Sequence, residues 1–460
     1  MRRWVILGVV LVILGAAGAW WLTARAHTEW TTDSPEALAE FEAAMNAQMK
    51  LYYTDSERHL ERAVKLDPNF VMAKFTLEDY RSKMEPEGRK QFEKFVEGIA
   101  LDRLNPRERF FVKRARALLA GRQKEASRLL DDYLARHGND PYALNMKGQI
   151  LWQTGHLDEA KNLFQRLVKI APNWVVAYNQ LGYIAMQQEH FAKSEDYFKT
   201  YGFIAPDQAN PHDSLGELLT LTGRYEEAVE ELRQALKIKP DFCASYNHLV
   251  QAHLLMGDAT AAMADLRDSV ERGKCPDQLV AMARCIVTLW PLEMEHRWQE
   301  MVRAAREGGC EANLYPASQL MLVIHLARTF SGDAAGAKEL EDQVRKALKK
   351  SKGGDMDWFG QSALNHMRGV RAAAAGRYDD AAERLEEADR SLTYLGNGIG
   401  LFKLVNRLMW AEALEAGNHP AESEKIIEEV RTVNPSMAQA FESGKWRPLG
   451  LKTHRATRLR

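Results

Sequence analysis

Four short polar side chains interrupt apolar helical runs at a constant interval: Asn145, Asn179, Asp213 and Asn247, each 34 residues from the last. A primary amide carries both donors and an acceptor, so a line of them can pair with the N–H and C=O groups of an extended polypeptide without reading its side chains. Asp213 can only accept. The densest set of reactive types lies further on, in Trp290, Glu293, Glu295, His296 and Trp298. It would suit acid–base chemistry if the histidine and a carboxylate converged on one pocket, but it sits on a helix-like run with no visible orienting partner. The sequence contains no GxxxxGK(S/T) phosphate cradle, no HExxH zinc helix and no CxxCH haem site. His248 and His253 are five apart, a spacing that does not align two ligands on one helical face. GNGIG, residues 396–400, follows a helix rather than a strand and reads as a turn.

Composition sets the class of molecule that must position these groups. The chain has 460 residues, 46% hydrophobic and 27% charged, enough for several cores or one extended array. Lys and Arg number 62 against 63 Asp and Glu, so no global charge directs it to nucleic acid. Residues 4–22, WVILGVVLVILGAAGAWWL, carry no charge and follow Arg2 and Arg3. As a helix they would span about 28 Å, close to the hydrocarbon thickness of a bilayer. The flanking arginines favour the cytoplasmic side, which places the rest of the chain across the membrane. The expected location is a membrane crossed once, with a periplasmic or extracellular body; cleavage at Ala24-Arg25-Ala26, releasing a secreted or periplasmic protein, is the alternative.

The chain beyond the anchor repeats itself. Pro172, Pro206 and Pro240 fall 34 apart, as do Gly148, Gly182 and Gly216. Ala126, Ala160, Ser194, Ala228 and Ala262 share a second phase, and Gly121, Gly155, Gly223 and Gly257 a third, with Glu189 as the exception. Each repeat reads as two amphipathic helices joined by a polar turn, closed by proline after the second. Glycine suits the left-handed turn between them. The frame predicts about eleven such hairpins, since repeats need neighbours to bury their apolar faces.

This pattern resembles the tetratricopeptide repeat, with Tyr178, Leu181, Gly182, Phe198 and Pro206 in register and Ser194 replacing an alanine. The resemblance is to a membrane-anchored bacterial member of that family. It implies an all-α fold, a right-handed superhelical solenoid of antiparallel helix hairpins, preceded here by one transmembrane helix. The expected organisation is 1–30 for the cytoplasmic tip, anchor and linker, 31–104 for N-terminal repeats, 105–276 for the regular array, 277–360 for degenerate repeats, 361–436 for C-terminal hairpins and 437–460 for a basic tail. The tail reads as a solvated, frayed terminus. The resemblance also implies that the fifth, ninth and twelfth positions of first helices face a concave groove: Asn145, Gln149 and Trp152; Asn179, Tyr183 and Met186; Asp213 and Glu217; Asn247 and Gln251.

The expected function is that of a scaffold or adaptor holding a protein or peptide partner in that groove at the membrane, without cofactor, metal or nucleic acid. The alternatives are an enzyme with its site in 277–360 and a regulatory array of a bacterial signalling system. Of the four cysteines, Cys275 and Cys310 occupy comparable places on adjacent repeats, farther apart than the ~7 Å between α-carbons that a bridge allows. Free thiols are expected.

Overall fold

Where the frame places glycine between paired helices, the backbone turns left-handed: Gly121, Gly155, Gly223 and Gly257 have φ between 72° and 83°. The same conformation persists where glycine is absent, at Leu51 (φ 61°), Glu189 (62°), His296 (54°) and Asn418 (65°). The hairpin therefore imposes the turn on whichever residue stands there. A left-handed residue with a side chain is strained by about 1–2 kcal/mol, against the ~0.5–1 kcal/mol that glycine forfeits through its freer unfolded state. Glu189→Gly is accordingly expected to stabilise the protein by about 0.5–1 kcal/mol, read as a raised urea midpoint.

The computed structural model describes residues 30–84, 87–312, 314, 318–351, 357–396 and 398–452. The anchor expected over residues 4–22 lies outside the described residues; among those described, no helix is long and apolar enough to cross a membrane. The described residues are helical throughout, in eleven hairpins and one final helix. In order they are α1 (Pro35–Met49) and α2 (Tyr53–Leu66), α3 (Val71–Met84) and α4 (Gly88–Glu97), α5 (Pro106–Leu119) and α6 (Gln123–Arg136), α7 (Pro141–Gln153) and α8 (Leu157–Ile170). Then come α9 (Val176–Gln187) and α10 (Phe191–Ile204), α11 (Ala209–Leu221) and α12 (Tyr225–Ile238), α13 (Cys243–Met256) and α14 (Ala259–Glu271), α15 (Asp277–Met294) and α16 (Trp298–Glu307). The last are α17 (Gln319–Ser331) and α18 (Ala334–Ser351), α19 (Asp357–Ala374) and α20 (Tyr378–Ser391), α21 (Ile399–Ala416) and α22 (Pro420–Val433), and α23 (Pro435–Glu442). Helices α8, α10 and α12 each end two residues before the repeating proline, as expected.

The chain forms two bodies. An N-terminal body runs to Gln149 and includes Arg166–Val176; a C-terminal body comprises Ile150–Gln165 and the described residues from Ala177 onward. In the N-terminal body, α1 starts at the Ser34 cap, whose hydroxyl accepts the Ala37 N–H, and α5 starts at a capping box of Asn105 and Glu108. Buried Glu108 also accepts the Thr31 N–H and hydroxyl, both at 2.6 Å. That bond seats Trp30 against the rings of Phe41, Phe111 and Tyr142, beneath the Arg107 guanidinium.

In the C-terminal body, first and second helices interlock at the small positions of the frame. A methyl added to Gly182 would meet the Phe198 ring at 2.3 Å, so that ring packs on bare backbone. One large cluster then joins residues far apart in sequence, among them Met186, Leu219, Tyr394, Leu408, Phe441 and Trp446. Two sequence expectations are corrected here. The terminus is not frayed over its first part, because Trp446, Arg447 and Leu449 are buried. Arg447 pairs with Glu415 at 2.7 Å, and Glu412 accepts the N–H groups of Leu449 and Leu451 at 2.9 and 2.7 Å. Residues 453–460 of that tail lie outside the described residues.

The cysteines are not free. Cys243 bridges Cys275 and Cys285 bridges Cys310, with α-carbons 5.6 and 5.7 Å apart. The expectation failed because it compared equivalent places on adjacent repeats. Cys243 opens α13 and Cys275 follows α14, so this bridge closes the mouth of a single hairpin; the other joins α15 to the chain just past α16.

Candidate functional site

Every residue of α11 except His212 is buried, including Asn210, Asp213, Ser214, Glu217 and Thr220. Buried polar groups need partners, and the polar positions of the repeat frame supply them to one another. Ser214 Oγ donates to Asn179 Oδ1 at 2.9 Å, and the Tyr183 hydroxyl donates to Glu217 Oε2 at 2.8 Å. Asp213 Oδ1 accepts from Ser245 Oγ at 2.7 Å and lies 3.0 Å from His248 Nδ1; His248 Nε2 lies 3.7 Å from Glu217 Oε1. Two of the four ladder positions, Asn179 and Asp213, thus belong to a polar network running from α9 through α11 to α13; Asn145 and Asn247 take no part in it.

Its open side is covered by the chain's own return. Phe191 meets the ring of Tyr394, the Gly398 N–H points at Glu217 Oε1 at 3.4 Å, and a Cβ on Gly396 would stand 2.8 Å from the Tyr183 ring. The bare backbone at Gly396 permits this close approach. At the end of α11, Asn434 Nδ2 donates to the Leu221 carbonyl at 3.0 Å while its Oδ1 accepts from Tyr225 OH at 3.2 Å. This corrects the reading of Asn179, Met186, Asp213 and Glu217 as groove residues open to a partner. All four are buried, Met186 within the apolar cluster.

The other expected positions are half-buried. Trp152 donates through Nε1 to Gln187 and stacks on Tyr183. Asn247 and Gln251 share the exposed-to-buried margin of α13, while Asn145 and Gln149 lie on α7 in the N-terminal body. Ser214, Ser245 and Asn434 carry no signal in the repeat frame, and His248, set aside as a metal ligand, enters instead through Asp213. Burial lowers the basicity of His248, but the Asp213 and Glu217 carboxylates outweigh it and push its pKa up to about 9. Against an unfolded value near 6.5, its stabilising contribution is complete below about pH 6.5 and lost as pH rises through 9. The thermal midpoint is expected to fall across that window in the native protein, with a shallower slope in His248→Gln.

The reactive set at 290–298 does not converge. His296 Nε2 donates to the Arg447 carbonyl at 2.5 Å, whereas Trp290 and Glu293 line a separate apolar cavity of about 130 Å³. Glu295 and Trp298 are absent from its walls. Glu293 is 4% exposed, and burial pushes its carboxyl up to about 7.

The N-terminal body keeps an open cleft of about 1080 Å³ between residues 31–34, the α2–α3 turn and the stretch from α4 to Leu104. Lys74, Lys94 and Arg103 line it and form no ion pair among the described residues. Val71 and Phe95 supply apolar surface, with the Lys74 ammonium 5.1 Å from the Phe95 ring centroid; Asp33 and Glu78 add acid.

Family comparison gives two matches: residues 117–182 to a profile described as tetratricopeptide repeat and residues 216–257 to one described as TPR repeat. No curated protein matches the chain. Similar solved structures include a tetratricopeptide repeat protein from Parabacteroides merdae (14% identity, 64% of this chain and 99% of that one, TM-score 0.38). Another is the APC/C hetero-tetramer Cut9-Hcn1 (12% identity, 95% and 81%, TM-score 0.47). A third is MamA from Desulfovibrio magneticus RS-1 (21% identity, 36% and 95%, TM-score 0.32).

Proposed function

We propose that this chain, whose residues 117–182 and 216–257 match tetratricopeptide repeat profiles, is an interaction scaffold that holds a partner polypeptide on its N-terminal body while residues 4–22 tether it to a membrane. The observation that carries the reading is the repeat itself, matched over 117–182 and 216–257, since stacked helical hairpins present extended surfaces for binding. What favours the N-terminal body is the contrast between the two: in the C-terminal body the Asn179–Asp213 face is already occupied, whereas the cleft beside Lys74, Lys94 and Arg103 is open. Its cations, acids and apolar side chains suit an extended segment of mixed polarity with acidic groups near apolar anchors.

The two disulfides support a body on the extracytoplasmic side of the membrane, where such bridges persist. The test is charge reversal at Lys74, Lys94 and Arg103 together, with Lys124→Glu and Arg128→Glu on the exposed face of α6 as the control. Proteins co-purified after in-cell crosslinking should be lost with the first set and retained with the second. Unchanged recovery with the cleft reversed would contradict the reading.

A further inference from the structure

The cavity beside Glu293 differs from the rest of the C-terminal body in one respect. Its other deeply buried acids are all engaged: Asp213 by Ser245, Asp265 by Arg233, Glu341 by Arg371, Asp389 by Lys403, Glu412 by two backbone N–H groups and Glu415 by Arg447. The Glu293 carboxyl makes no hydrogen bond or ion pair among the described residues, although only 4% of the residue is exposed. It stands on the stripe Ile286, Leu289, Trp290 and Glu293 of α15, spaced so that all four share a helix face, and all four line the cavity. An unpaired buried carboxyl is costly, and a protein that needed only a packed core would place leucine there.

Another lining residue carries a second acceptor. Asn406 Nδ2 donates to the Leu385 carbonyl, which fixes its Oδ1 as the atom 2.9 Å from His366 Nδ1. His366 therefore holds its proton on Nδ1 and leaves the Nε2 lone pair unused, and burial drives its pKa down to about 4, so the ring stays neutral. His366 lines the same cavity, and among the described residues no lysine or arginine does. The walls thus set Glu293, His366 and the Gln251 and Gln319 amides in apolar surface, with no cation among the described lining residues. The volume of about 130 Å³ is close to the ~150 Å³ of a dry protein cavity known to admit benzene.

We infer that this cavity is a binding site for a small amphiphilic amine, with an apolar body the size of one ring or a short alkyl chain and an ammonium head at Glu293. A protonated amine brings three donors and the charge that the carboxylate lacks. This site is independent of partner binding on the N-terminal body.

Benzylamine and benzyl alcohol, matched in shape, serve as probes in calorimetric titrations of the full chain in lipid nanodiscs near pH 8. Benzylamine is expected to bind saturably, one per chain, about tenfold or more tighter than the alcohol. Glu293→Gln should erase that preference while leaving the alcohol's affinity unchanged. Val323→Phe, which fills the cavity without touching the carboxyl, should abolish binding of both and covers the case in which Glu293→Gln does not fold. Absence of saturable amine binding, equal affinity for amine and alcohol, or undiminished binding in either variant would overturn the assignment.

Discussion

Asn434→Ala is expected to destabilise the C-terminal body by about 3 kcal/mol, a large loss for one amide. Each buried group deprived of its partner costs roughly 1–3 kcal/mol, and this side chain serves three of them. It donates to the Leu221 carbonyl at 3.0 Å and accepts from Tyr225 OH at 3.2 Å and from the Met437 N–H at 2.9 Å. The first two lie more than two hundred residues away in sequence. The loss should appear as a lower urea midpoint with an unchanged slope. Tyr225→Phe isolates one bond, because Asn434 keeps its other partners, and should cost only about 1 kcal/mol. Equal stability of Asn434→Ala and the native protein would mean that the return of the chain onto α11 contributes little.

Reduction of the two disulfides is expected to be the larger perturbation. Closing loops of 32 and 25 residues restricts the unfolded chain by about 3–4 kcal/mol per bridge on the loop-entropy account. Thermal scans with and without reductant should show a marked drop in midpoint. In protein isolated from cells without reductant, iodoacetamide should label none of the four cysteines, and all four after unfolding in reductant. Labelling of unreduced protein would show that the bridges do not form in the cell and would remove their support for an extracytoplasmic body.

The hairpins were legible because their signals are local. Pro172, Pro206 and Pro240 mark helix ends, and the turn positions announce themselves as glycine. Where the signature fades, over 277–351, helices α15 to α18 still form, since apolar spacing alone sustains an amphipathic helix against its neighbours. Leu51 and Glu189 show the converse, a turn conformation kept after its residue is lost.

The site was half legible. Asn179, Asp213 and Glu217 stood out as polar residues in apolar helices, and the structure does join them into one network; repeat logic assigned them to the wrong side of a water boundary. A repeat frame is nearly one-dimensional: it tells which positions share a face, and it cannot tell that residues two hundred places later come back to cover that face. The signal for the return lay partly in α21, where Phe402, Leu404, Leu408, Met409 and Leu414 spread around the helix. Lys403, Asn406, Glu412 and Glu415 interrupt them and are buried with partners of their own. Trp446 and Leu449 within the basic terminus carry the same message. The disulfide pairing was not legible, because it depends on how hairpin mouths close rather than on repeat phase.

The C-terminal body is closed by its own chain. A photo-crosslinking benzoylphenylalanine at position 191, whose native ring lies 5.3 Å from that of Tyr394, tests this directly. Irradiation of the full chain, digestion and mass spectrometry should yield an intrachain crosslink between the peptide containing residue 191 and the one containing Tyr394. Crosslinks confined to adjacent hairpins, or formed mainly with other proteins, would contradict it and return the Asn179–Asp213 face to the role of an open groove.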